Sequence, residues 1–126
     1  MATVKLTKEN FEATIAENDI VIIDFWAEWC APCKQYGPIF EKVSDEVSDV
    51  VFAKVNTEEE QELAGYFQIQ SIPTTVVLRE GIGIFNQAGL LPEEALKDIL
   101  NQVKELDMNM VRAEVEKQQQ EQGDNA

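Results

Sequence analysis

The chain of 126 residues contains no histidine and only two cysteines, Cys30 and Cys33. A structural zinc site normally takes four Cys or His ligands, so two thiols leave such a site half made within one chain. Basic residues are scarce too: ten against twenty-four acidic ones, for a formal net charge of −14. That balance repels phosphate backbones and anionic lipid, which removes nucleic acid and membrane surfaces from the expected partners. No apolar run approaches the roughly 18 residues that a membrane span requires. The opening "MATVKLTKEN" lacks the basic start and long apolar stretch of a secretory signal, so the expected location is the cytoplasm. Internal repeats are absent as well.

What is present is the composition and length of one soluble domain. "TVKL" reads as a first strand, and "TKENFEATIAEN" as a helix with Thr7 as N-cap and Leu6 stapled onto Phe11. "DIVIIDFWA" is a continuous apolar run interrupted only by Asp24, the pattern of a strand covered on both faces at the centre of a sheet. Tyr36, Phe40, Val43 and Val47 recur at helical spacing, which predicts an amphipathic helix over about 33–48. "VVFAKVN" is a further strand, and "TEEEQELAGYF" opens a third helix with a Thr57–Glu60 capping box. "SIPTTVVLREG" and "IGIFNQAG" predict two antiparallel strands joined at Glu80 and Gly81. "LPEEALKDILNQVKEL" predicts a helix with Pro92 at its first position and Leu96, Ile99, Leu100, Val103 and Leu106 facing the core. Strands and helices in this order imply a mixed α/β sheet with helices on both sides. The rest, "DMNMVRAEVEKQQQEQGDNA", predicts a continuation of the last helix that gives way to a polar disordered tail after about Gln118.

Both cysteines fall in "FWAEWCAPCKQYGP", between the central strand and the next helix. A disulfide across so short a loop constrains little of the unfolded chain, and two inert thiols would not explain the proline between them. Redox chemistry fits better. Unpaired backbone N–H groups and the positive end of the helix dipole stabilise a thiolate at a helix N-terminus, and the thiolate is the attacking form. Cys30, at the outer edge, is then the nucleophile, and Cys33, a turn inside and more sheltered, resolves the mixed disulfide. Pro32 fixes φ in the first turn without losing a hydrogen bond. Asp24 either reaches water at an edge or is buried with a raised pKa as a proton carrier. Lys54 lies in the strand that could neighbour it, which makes the two a candidate functional pair.

"DFWAEWCAPCK", followed by Pro38 and later by "SIPTT", resembles the thioredoxin family over residues 3–105. The resemblance implies a central mixed five-stranded sheet flanked by four helices, here with a C-terminal helical extension. It implies a thiol–disulfide oxidoreductase that binds no cofactor itself, acts on disulfide-containing proteins as a monomer, and is re-reduced by a thioredoxin reductase using NADPH. Carried over by position, Asp24 would be the acid/base assisting Cys33, with Lys54 beside it. Trp29, Ala31 and Pro32 would flank the sulfurs, Pro73 would be a cis proline leaving the Ile72 backbone free for an extended substrate, and Gly89 would keep that surface open. Ala31 stands where the family usually has glycine, Ser71 replaces a common glycine, and Thr57 occupies a usually aliphatic position. Pro32 in place of a histidine before the second cysteine favours a reductant over a disulfide donor, because no positive charge there stabilises the thiolate. The expected division is 1–105 as the oxidoreductase domain and 106–126 as the extension. The rival expectation is a thioredoxin-like assembly factor or chaperone that binds a partner through that extension.

Overall fold

A computed structural model describes residues 2–124, with side chains to residue 121. Five strands, β1 (Thr3–Lys5), β2 (Ile20–Trp26), β3 (Val51–Asn56), β4 (Thr74–Arg79) and β5 (Ile82–Ala88), form one sheet in the order β1-β3-β2-β4-β5. β1, β3 and β2 run parallel, whereas β4 is antiparallel to β2 and β5 to β4. The apolar run around Asp24 is therefore the middle strand, paired on both edges. Glu80 and Gly81, both at positive φ (54° and 77°), make the tight turn between β4 and β5.

Helices α1 (Phe11–Glu17) and α3 (Gln61–Tyr66) cover one face of the sheet, where Phe11, Ile15, Leu63 and Phe67 pack with Val21, Ile23 and Phe25. α2 (Ala31–Glu46) and α4 (Glu93–Glu105) cover the other, where Tyr36, Phe40, Val43, Leu96, Leu100 and Val103 pack with Ile20, Ile22, Phe52 and Val77. Even-numbered β2 residues thus face α2 and α4, and this alternation puts Asp24 on the α2 side of the sheet.

Several element ends differ from expectation. Thr7 is not the N-cap of α1, which starts only at Phe11. Instead Thr7 and Asn10 exchange bonds, the Thr7 N–H donating to Asn10 Oδ1 at 2.7 Å and the Asn10 N–H to Thr7 Oγ1 at 3.3 Å, so a polar turn precedes the helix. The Thr57–Glu60 box does not form either. Asn56 Oδ1, one residue earlier, accepts from the N–H groups of Glu58 and Glu59, and the Thr57 hydroxyl turns back to the Trp26 carbonyl at 3.2 Å. α2 begins two residues earlier than the apolar spacing implies, because Cys30 itself is its N-cap. Pro92 is the N-cap of α4 rather than its first residue.

The C-terminal segment departs most. α4 ends at Glu105, and the expected helical extension is present as a separate helix, α5 (Met108–Asp124), rather than as an unbroken continuation of α4, and it runs past Gln118, where a polar tail was expected; residues 125–126 lie outside the described residues. Leu106 breaks the helix with an extended backbone (ψ 139°). Arg79 Nη1 donates to the freed carbonyls of Val103, Lys104 and Leu106 at 2.7–3.2 Å, and Asp107 Oδ1 caps the new helix by accepting from the N–H of Asn109 at 3.0 Å. Among the described residues no helix is long and apolar enough to cross a membrane.

Candidate active site

The strand-to-helix junction after Trp26 builds the site. The Ala27 carbonyl accepts from the Cys30 N–H at 3.2 Å, and this turn delivers Cys30 to the N-cap of α2. Cys30 and Cys33 are joined as a disulfide, with Cα atoms 5.2 Å apart. The Cys33 N–H donates to Cys30 Sγ at 3.2 Å, and the Ile72 carbonyl oxygen lies 3.7 Å from the same sulfur. Cys30 therefore sits against a helix N–H at the positive end of a sixteen-residue helix, a setting that favours its thiolate once the bond is reduced. The expected contrast in exposure is not present in this oxidised state: both cysteines are 4% exposed. What distinguishes them is their surroundings. Cys30 is flanked by exposed Trp29, Ala31 and Pro32, whereas Cys33 backs onto a cleft of about 260 Å³ shared with Trp26, Gly37, Glu41 and Lys54.

The Ile72–Pro73 peptide bond is cis. Pro73 is buried, and its carbonyl accepts from the Gly89 N–H at 2.8 Å, which ties the end of β5 to the dithiol side of the sheet. Gly89 has φ +103°, a conformation that L side chains rarely adopt, and faces open space. Trp29, Ile72 and Thr57 line a second cleft, of about 370 Å³, with Ser71 and Gln70. Cys30, Trp29, Ile72, Pro73 and Gly89, distant in sequence, are thus gathered at one end of the sheet.

On the same strand that leads into the dithiol lies Asp24, fully buried, with neither carboxylate oxygen hydrogen-bonded. Its cross-strand neighbours are Lys54 on β3 and Thr75 on β4. Burial pushes the carboxyl up to about 7, and the positive charge of Lys54 opposes that rise. Of the two sequence-based readings, an edge that reaches water is excluded. Lys54 does not bond the carboxylate; its Nζ lies over the Trp26 ring, 5.2 Å from the centroid.

Two further polar groups went unremarked in the sequence. The Tyr36 and Thr75 hydroxyls are 2.7 Å apart in the core, and Thr75 stands opposite Asp24 in the β2–β4 ladder. Tyr36 reads as apolar in a helical repeat, and the only hint of its partner is a second threonine in "PTTVVL", directly before three aliphatic residues.

Comparison with known proteins agrees with this geometry. A model of the family described as Thioredoxin matches residues 2–102. The chain belongs to the thioredoxin family. The protein named "Putative thioredoxin 2" of Streptomyces coelicolor is 52% identical over 122 residues, covering 97% of this chain and 91% of that protein. Thioredoxin of Bacillus subtilis is 40% identical over 102 residues, 80% of this chain and 97% of that protein. Among solved structures, a mutant thioredoxin from Halobacterium salinarum superposes with a TM-score of 0.77 at 30% identity, over 82% of this chain and 92% of that one. Family membership together with the adjacent cysteine pair makes this thioredoxin-family chain a thiol–disulfide oxidoreductase. Nothing in the comparisons favours the assembly-factor alternative.

Proposed function

We propose that the chain works as a reductant of protein disulfides in the cytoplasm, as a monomer re-reduced by a thioredoxin reductase. The observation that carries this reading is the placement of the Cys30 sulfur at the N-cap of α2, against the Cys33 N–H and the Ile72 carbonyl. In the reduced protein the Cys30 thiolate attacks one sulfur of the substrate disulfide, and the other substrate sulfur leaves as a thiolate. Cys33 gives its proton to Asp24, whose carboxyl at about 7 is matched to that task at neutral pH, and attacks Cys30. The second substrate sulfur is released, Asp24 returns the proton, and Cys30–Cys33 becomes the disulfide. Two electrons have passed from the dithiol to the substrate.

Lys54 has a supporting electrostatic role, since its charge holds the Asp24 carboxyl below the value that burial alone would set. Trp29, Ala31, Pro32, Ile72, Pro73 and Gly89 are the surface on which an extended substrate strand rests, pairing with the Ile72 backbone. Residues 1–105 carry this activity, and 106–126 form an extension outside it. Insulin reduction by the purified protein tests the scheme: Cys30→Ser is expected to lose turnover entirely, whereas Cys33→Ser is expected to stall as a mixed disulfide visible by mass spectrometry. An undiminished rate for Cys30→Ser would overturn it.

A further inference from the structure

The core behind the dithiol holds one polar pair that the reaction above does not use. Tyr36 on α2 and Thr75 on β4 are fully buried, with their hydroxyls 2.7 Å apart. Two hydroxyls carry two protons, and the bond between them consumes one. The second proton needs an acceptor, because a buried donor left unpaired is costly. Asp24 has the complementary deficit, with two buried oxygens and no partner. Thr75 stands directly opposite Asp24 across the β2–β4 ladder, and directly opposed residues project to the same face with Cβ atoms about 5 Å apart. That face is the one on which Tyr36 packs, since Ile22 and Val77, the next inward pair on these strands, share its core cluster.

We propose that Tyr36 and Thr75 form a hydroxyl relay that positions the ionised Asp24 carboxylate, Tyr36 donating to Thr75 Oγ1 and Thr75 donating to the carboxylate. The proposal rests on the reading of Asp24 as proton acceptor for Cys33. The Tyr36–Thr75 bond is already made, whereas the Thr75–Asp24 bond is open and closes by rotation of the carboxyl group toward Thr75 when the charge forms. When the carboxyl is protonated the same chain runs in reverse, Asp24 donating to Thr75 and Thr75 to Tyr36. The bond to the charged form is the stronger one, and the Tyr36 hydroxyl behind it polarises it further. The relay therefore favours ionised Asp24 and opposes the effect of burial. Burial, with the charge of Asp24 adding to it, pushes the Tyr36 phenol upward, so Tyr36 remains a protonated donor across the working range. The other groups on this side of Asp24 are Lys54 from β3 and Cys33 from α2, with Lys34 and Glu41 on the cleft that these two line; α4 offers only the apolar Leu96, Leu100 and Val103, with Ile99 against them, to this cluster. Tyr36 and Thr75 are positioning residues, acting through Asp24 without touching substrate.

The test is a carbon-13 NMR titration of the Asp24 carboxyl in the oxidised protein, with the pH profile of insulin reduction as a second readout. Thr75→Val, which keeps shape and removes the donor, is expected to move the midpoint upward by about one unit. Thr75→Ser should restore it, Tyr36→Phe should move it upward by less, and the turnover profile should shift in the same order. In an Asp24→Asn background, Thr75→Val should leave the turnover profile where it was. A midpoint unmoved by Thr75→Val, or moved equally by Thr75→Ser, overturns the relay. Failure of the underlying reading looks different: Asp24→Asn would then leave the turnover profile unchanged while the NMR midpoints still respond to Thr75.

Discussion

Asp24 carries a conflict between position and chemistry that has a measurable consequence for stability. In the unfolded chain its carboxyl titrates near 3.8, and in the folded protein at about 7. Between these values the folded state holds a proton that the unfolded state has released, so stability falls as pH rises through this window, and the full penalty is present above about 7. Replacing Asp24 with Asn removes the penalty. Relative to the parent, Asp24→Asn should gain as much as about 4 kcal/mol between pH 4 and pH 8. Urea unfolding of both oxidised proteins at the two pH values measures this, and a difference independent of pH would refute burial as the cause. The anomaly itself was legible, because a single acid interrupts an apolar run. Its resolution was not, because only strand order decides whether β2 is paired on one edge or two. Pro73 is similar: nothing in "SIPTT" distinguishes cis from trans on local grounds, and the resemblance alone suggested cis. The Tyr36–Thr75 contact was illegible for another reason. It joins a helix to a strand 39 residues away, and helical periodicity counts tyrosine as one more apolar residue.

Among the elements, strands and helix faces followed from hydrophobic period, while helix ends followed from competition between caps. Thr57 loses the N-cap role because Asn56 makes the local side-chain-to-backbone turn first, and Cys30 takes the N-cap of α2 although thiols are not among the usual caps. The break between α4 and α5 depends on Arg79, which reaches from the end of β4 to the carbonyls of Val103, Lys104 and Leu106 and lies 3.5 Å from the Asp19 carboxylate. No reading of residues 93–124 alone could find it, since the donor lies on a distant strand. Arg79→Leu strands those carbonyls, and the expected cost is about 2 kcal/mol, seen as a lower urea midpoint with an unchanged rate of insulin reduction. An unaltered midpoint would mean that water satisfies the α4 terminus equally well.

At the scale of the whole molecule, the dithiol and the extension occupy opposite ends of the sheet. β4 begins at Thr74, next to Pro73 and the cysteines, and ends at Arg79, next to Glu80 of the turn and α5, where Arg112 pairs with Glu80. Six strand residues at about 3.3 Å each separate the two ends. The segment is nonetheless shared with a relative, because a 122-residue match to the Streptomyces protein must take in most of 106–126. Its first turn is also anchored: Met108 is 6% exposed and Leu106 supplies one of the carbonyls that Arg79 holds. Two truncations therefore separate anchoring from chemistry. Ending the chain after Met110 keeps both contacts, and stability and insulin reduction should match the full chain. Ending it after Glu105 exposes the surface under Met108 and removes one Arg79 acceptor, which should lower stability by about 2 kcal/mol while the rate at 25 °C stays the same. Loss of insulin reduction in the shorter protein, at a temperature where circular dichroism still reports it folded, would show that the extension contributes to the reaction and would refute a boundary at residue 105.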